Sequence, residues 1–298
     1  MKRLITLFLL LCSPVSVHAA LGIFACEPEW AALAREIGGA DVRVYAATTA
    51  HQDPHRIEAR PSLIAQMRRA DLLVCTGAGL EAGWLPVLLR EAGNASVQPG
   101  RPGHFEAARF VTLREVPARI DRTEGDVHAD GNPHLHTDPR NIAKVGAALT
   151  ARMAEIDPAR AVAYRARWDD FSVRWEAALV RWQARAVPLR GMAVAVQHPS
   201  FSYLLAWLEM TEVARLEPRP GIEPSVTHLA RVATQLQAKP ARMVLRAAYQ
   251  NPRPADWLAA RAGIPALALP YTVGGNARAN DLFGLFDDTL DQLLGAAR

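Results

Sequence analysis

From Leu21 onward, short apolar runs alternate with longer stretches in which apolar residues recur at helical spacing. Residues 21–25, 42–46 and 72–75 read as strands, each followed by a helical pattern, and that rhythm specifies a parallel sheet. Residues 110–113 predict a weaker fourth strand. A polar stretch over 117–139 follows, holding Gly125, Gly131 and Pro133, and connections of that length are usually functional or disordered. From 158 to 186 the period changes: Trp168, Phe171, Trp175, Leu179 and Trp182 recur three and four apart, which predicts one long helix with a single apolar face. Its roughly 28 residues would reach about 42 Å at 1.5 Å per residue, enough to lie across two lobes rather than inside one. Strands over 192–196, 213–216, 243–245 and 266–269 then alternate with helices starting near Ser200, Pro224 and Ala255, and a last helix covers 280–296.

The expected fold class is therefore α/β, with two lobes, each a parallel sheet flanked by helices, joined by one long linking helix. The expected boundaries are 20–157 for the first lobe, 158–187 for the linking helix and 188–298 for the second lobe. A chain of 298 residues exceeds one lobe of ordinary size, which agrees with that division.

The first residues carry an address rather than a fold. Lys2 and Arg3, the apolar run 4–11 and the small-residue ending Val17-His18-Ala19 form a signal peptide over 1–19, so a periplasmic chain, soluble after cleavage, is expected. The apolar run is too short to span a bilayer, which takes roughly 20 residues. Cys12 follows bulky Leu11 rather than the small residue of a lipoprotein signal, which speaks against a lipid anchor. Removing Lys2 and Arg3 from the formal net charge of +4 leaves the mature chain near +2, with arginines scattered along helices, and nucleic-acid binding has no support. Cys26 and Cys75 survive cleavage, each at the end of an apolar run. In an oxidising compartment they pair if those strands are neighbours, and otherwise they are two small buried thiols.

Candidate chemistry lies in the histidines, nine in all, because several follow strands. His55 sits in the turn after the second strand, His134 in the long connection after the fourth, and His198 directly after the first strand of the second lobe. Ligands of open parallel sheets bind beyond the carboxyl ends of strands, so these three imidazoles come from the edge where a site belongs. Three imidazoles favour zinc, whereas manganese prefers a larger share of carboxylate oxygen. Pro54, Pro133 and Pro199 stiffen the backbone beside them. His51, His128 and His136 share the same loops and are left as supporting partners, transient metal collectors or solvated residues. His104 and His228 have no such context and are not candidates.

These residues also resemble a known family, the periplasmic solute-binding proteins that supply zinc and manganese to ABC transporters. The resemblance rests on Asp53-Pro54-His55 before Arg60-Pro61-Ser62, and on Ala70-Asp71-Leu72 leading into Gly77-Ala78-Gly79-Leu80-Glu81-Ala82-Gly83-Trp84. It rests further on Asn132-Pro133-His134 before Asp138-Pro139, and on His198-Pro199-Ser200-Phe201-Ser202-Tyr203, so it covers nearly the whole mature chain. It implies one metal ion held between two lobes that move little, and the histidine at position 198 resembles the zinc branch, where manganese carriers tend to have glutamate. The implied partner is the membrane permease of an ABC importer, with a periplasmic metallochaperone as a further partner left open and a monomer expected. The family's fourth ligand is usually a carboxylate in the loop after the last strand, but this chain has Tyr271-Thr272-Val273-Gly274-Gly275 there. Asp281, at the start of the last helix, is the favoured substitute, ahead of Glu223 and a water. The expected metal set is thus His55, His134, His198 and Asp281, with zinc as cargo.

Two other classes compete. A secreted zinc hydrolase also uses three histidines and a water, but no His-Glu-x-x-His element occurs and no carboxylate stands in an evident general-base position, so no enzymatic activity is expected. A carrier of a metal chelate would need a wide aromatic or basic cleft. Manganese, or another divalent metal carried in the same way, remains the alternative cargo.

Overall fold

The computed structural model describes residues 19–118, 125–126 and 128–298; the expected signal peptide, apart from its last residue, lies outside them. The first half of the chain runs β1 (Leu21–Ala25), α1 (Pro28–Gly38), β2 (Val42–Ala46), α2 (Pro61–Met67), β3 (Leu72–Cys75), α3 (Leu85–Ala92), β4 (His104–Glu106) and α4 (Pro139–Ile156). After α5 (Ala161–Ala186) come β5 (Ala193–Val196), α6 (Ser202–Trp207), β6 (Thr211–Arg215), α7 (Val226–Ala238), β7 (Val244–Ala247), α8 (Arg253–Ala262), β8 (Ala266–Leu269) and α9 (Leu282–Ala297). The strands form two four-stranded parallel sheets, ordered β2-β1-β3-β4 and β6-β5-β7-β8. In each sheet the order reverses beside the first strand, at β1/β3 and β5/β7, which opens a crevice beyond the strand ends where ligands of such sheets bind. Central strands β1 and β3 are buried along their whole length, as a sheet covered on both faces requires.

The fourth strand differs from expectation. Residues 107–110 form a 3-10 turn, and the sheet edge is the three-residue β4, whose one buried residue is Phe105. Gly103 permits this docking, because a Cβ there would lie 2.4 Å from the Ser96 carbonyl oxygen and 2.7 Å from that of Asp71. Phe110 instead stacks on Phe105, with ring centroids 4.9 Å apart.

The long helix is present as expected, with a 3-10 turn over Pro158–Arg160 leading into it. Tyr164, Phe171, Trp175, Ala178 and Trp182 form its buried face, and its 26 residues span about 39 Å. That face packs on α1 and α4 of the first half and on α9 of the second. Trp175 Nε1 donates to the Pro139 carbonyl at 2.9 Å, while Trp182 Nε1 donates to Asp287 at 2.8 Å and its ring meets Phe286. Gly146 on α4 allows the close approach, since a Cβ there would fall 2.2 Å from the Trp168 ring. One continuous apolar core consequently runs from Leu21 in β1 through α5 to Leu293 in α9.

Cys26 and Cys75 are joined by a disulfide that ties the ends of neighbouring strands β1 and β3, so the pairing reading holds over that of two free thiols. Just beyond it, three carboxylates are buried: Glu27, Glu29 and Glu81. Glu81 is held by the backbone N–H groups of Thr76 and Gly77, in a turn where Gly77, Ala78 and Gly79 all have positive φ. Burial raises Glu27 well above the usual carboxylate range, helped by the charges of Glu81 and Glu29, and burial lifts Glu81 to about 7. Glu27 Oε1 meets no donor, and a proton shared between Glu27 and Glu81 supplies what is missing. An acid raised in the folded state keeps a proton that the unfolded chain releases above about 4.5, so its stabilising effect is full below that pH and is lost as pH rises through about 7. The Glu81 carboxyl is therefore expected to contribute a fall in the melting temperature of the metal-free protein from about pH 5 to about pH 8, opposed below about 6.5 by the buried neutral imidazoles of His128 and His134. Glu81→Gln should remove much of that fall, and a variant whose melting keeps the parent's pH slope would contradict the assignment.

Candidate metal centre

Each of the three sequence-selected histidines reaches the interlobe crevice from a rigid support. His55 follows β2 in a turn closed by Asp53, whose Oδ1 accepts from both the His55 backbone N–H, at 3.1 Å, and its ring Nδ1, at 2.7 Å. His134 follows Asn132 and Pro133, and the Asn132 side chain accepts from the His134 N–H at 2.9 Å while donating to the Pro199 carbonyl across the crevice. His198 leaves β5 just before the 3-10 turn Pro199–Phe201.

The rings converge. The centroid separations are 5.3 Å for His55 to His134, 5.7 Å for His55 to His198 and 5.3 Å for His134 to His198. One nitrogen from each of the three lies within 4.8 Å of the others. Their outer nitrogens are all engaged: Nδ1 of His55 by Asp53, Nδ1 of His198 by Glu217 Oε2 at 2.7 Å and Nδ1 of His134 by the Tyr271 hydroxyl at 2.7 Å. A carboxylate only accepts, so His55 and His198 carry their proton on Nδ1 and turn a bare Nε2 inward. Nε2 of His134 lies 3.2 Å from Nε2 of His198. A tetrahedral ion with bonds of about 2.0–2.1 Å sets its ligand nitrogens about 3.3–3.4 Å apart, so this pair stands at the spacing of one tetrahedral edge.

The surroundings keep the His134 ring neutral. Burial drives His134 well below its ordinary value, with the neighbouring imidazoles His198, His55 and His128 adding to the shift. Burial pushes Tyr271 well above 10, so its hydroxyl stays protonated beside His134. Although burial alone would raise Asp53, its hydrogen bond to His55 and the charge of that ring hold it below the usual carboxylate range. His136, from the same 3-10 turn as His134, points the other way. Its Nε2 donates to the Tyr271 carbonyl at 2.9 Å and its Nδ1 lies 3.1 Å from Glu29, which also accepts from Thr272 at 2.5 Å. His136 thus fastens the β8–α9 loop that presents Tyr271 to His134.

The remaining candidates stand outside the group formed by the three rings. Asp281 is exposed and forms the N-cap of α9, its Oδ1 accepting from the Gly284 N–H at 2.7 Å. It is not among the groups gathered around the rings, and its role is that of a first-turn acid stabilising a helix start. Glu223 is exposed and lines a cavity of about 200 Å³ with Asp53, His55, His198 and Glu217. His51 is exposed. His104 is tied to the Val97 carbonyl and Glu106, away from the crevice. Sequence reasoning left two kinds of participant unassigned: the bracing groups Glu217 and Tyr271, and His128, whose Nε2 lies 3.3 Å from that of His55. The Asn132-Pro133-His134 element gave His134, but nothing in the local pattern distinguished His128, six residues earlier, from a solvated loop residue.

Two parallel lobes bound by a long helix, with imidazoles gathered at the crevice between them, define a metal-binding carrier of the solute-binding class. The chain matches the family described as zinc-uptake complex component A, periplasmic (ZnuA), over residues 23–296, and it belongs to that family. It is 20% identical over 204 residues to the high-affinity zinc uptake system protein ZnuA of Yersinia pestis, a match covering 61% of each chain. A crystal structure of ZnuA superposes with a TM-score of 0.75 at 21% identity, covering 92% of this chain and 98% of that one. FpvC of Pseudomonas aeruginosa, solved in complex with Mn2+, superposes with a TM-score of 0.77 at 22% identity, covering 93% and 98%.

Proposed function

We propose that this protein captures one zinc ion per chain in the periplasm, through Nε2 of His55, His134 and His198, and delivers it to the permease of an ABC-type importer. The observation that carries the reading is the orientation of three imidazoles with their outer nitrogens engaged and their inner nitrogens converging. Such a set is borderline-soft and nitrogen-rich, which favours zinc over manganese. Family membership supports the same cargo and compartment. Although FpvC was solved with Mn2+, the inner face here is lined by nitrogen, with Asp53 and Glu217 turned outward to brace rings. In this reading the chain is a carrier rather than a catalyst, as its family membership supports, and it acts as a monomer.

Equilibrium titration of the mature, metal-stripped chain with zinc against a chromophoric chelator tests the proposal. One equivalent should bind, with excess manganese displacing little of it. Absence of zinc uptake, or steady hydrolytic turnover by the zinc-loaded chain, would defeat it.

A further inference from the structure

A fourth imidazole stands beside the three whose nitrogens lie within 4.8 Å of one another. His128 enters from the long polar connection that precedes α4, and its ring stacks on His55 with centroids 5.3 Å apart and on edge to His134 at 6.4 Å. The backbone of Gly79 engages His128 in an interaction that favours the protonated ring. That makes the Gly79 carbonyl the acceptor. The glycine lies against Nδ1, since a Cβ on Gly79 would stand 3.3 Å from that atom. Nδ1 of His128 is therefore a donor, as Nδ1 of His55 is toward Asp53. Both rings then present a bare Nε2, and those two atoms face each other at 3.3 Å.

Two lone pairs at that distance with no hydrogen between them repel. A cation placed between them reverses the sign, and 3.3 Å again matches the edge of a zinc tetrahedron, about 3.3–3.4 Å. The pairs His134/His198 and His128/His55 each stand at that spacing, and an inward shift of His128, which lies outside the three rings whose nitrogens are within 4.8 Å of one another, would bring all four onto one ion. The position that the family resemblance assigns to a carboxylate after the last strand is filled in this chain by Val273, and Asp281 is occupied as a helix cap. We infer that His128 is the fourth ligand, completing an all-imidazole zinc site from the first half of the chain. The inference rests on the proposed zinc reading and deepens it. An all-nitrogen shell, with no oxygen donor from protein, makes the site more selective against manganese than a three-histidine, one-carboxylate site.

X-ray absorption and zinc titration of the full mature chain and of His128→Ala decide it, with His128→Asp as a second variant. The parent should show four nitrogen neighbours at one distance with imidazole scattering from four rings. His128→Ala should show three, with a solvent oxygen added, and should bind zinc at least about tenfold more weakly, since losing even an outer partner of a ligand costs about 10–100-fold. His128→Asp should recover zinc affinity and raise the share of manganese bound. His128 sits in a partly exposed loop, so circular dichroism should be unchanged in both variants. An unaltered zinc affinity and an unaltered four-neighbour spectrum in His128→Ala overturn the inference while leaving the three-histidine reading intact. Failure of the parent itself to take up zinc overturns both.

Discussion

His134→Ala is expected to remove tight zinc binding altogether. Of the three sequence-selected rings it is the most enclosed, 1% exposed, and it is flanked by both His55 and His198. Its loss takes away a direct donor, which should exceed the roughly 10–100-fold that follows when a ligand loses its outer hydrogen-bond partner. Tyr271→Phe supplies the internal scale, because it removes only the hydroxyl that braces Nδ1 of the same ring and should fall within that smaller range. His104→Ala, at a histidine tied to Val97 and Glu106, should leave affinity unchanged. Competition titration with zinc reads all three, and equal affinities for His134→Ala and the parent would remove His134 from the site.

The largest effect on stability should come from opening the disulfide. Cys26 and Cys75 are 49 residues apart in sequence, and closing a loop of that length in the unfolded chain is worth about 4 kcal/mol in the chain-entropy account. A Cys26→Ser, Cys75→Ser double variant should therefore unfold at clearly lower denaturant concentration than the oxidised parent, by a free energy of that order. The bond lies at the end of β1 and β3, beside the turn that carries Gly79 and Glu81, so its loss should also loosen the support beneath His128. A double variant as stable as the parent would show that strand pairing alone holds that end of the sheet.

Much of this architecture was legible in the chain itself. Strands β1 and β3 stood out because parallel strands covered on both faces leave nearly unbroken apolar runs, edge strand β2 because Val42 and Val44 flank Arg43 in alternation, and α5 because its aromatic residues recur with one helical period. β4 did not, because three residues are too few to display a period and its docking depends on the missing side chain of Gly103. His55, His134 and His198 were legible since each sits within a few residues of a strand end or a proline-stiffened turn, and motif resemblance reinforced them. Their braces were not: Glu217 is 19 residues from His198 and Tyr271 is 137 from His134, distances across which only folding creates proximity. Asp281 misled because an acid at a helix start serves capping and metal binding with the same side chain, and only the bond to the Gly284 N–H separates the two.

The unbroken apolar core through α5 has a mechanical corollary. Swinging the two sheets apart would tear Trp175 and Trp182 from their partners on both sides, so wide jaw-like opening is closed to this molecule. Its silhouette should be nearly the same empty and full, with indistinguishable radii of gyration in solution scattering. A receptor at the membrane must then distinguish cargo-bearing from vacant carriers by the texture of the crevice mouth. There Asp126 and Arg56 already reach over to the Pro220 and Gly221 carbonyls.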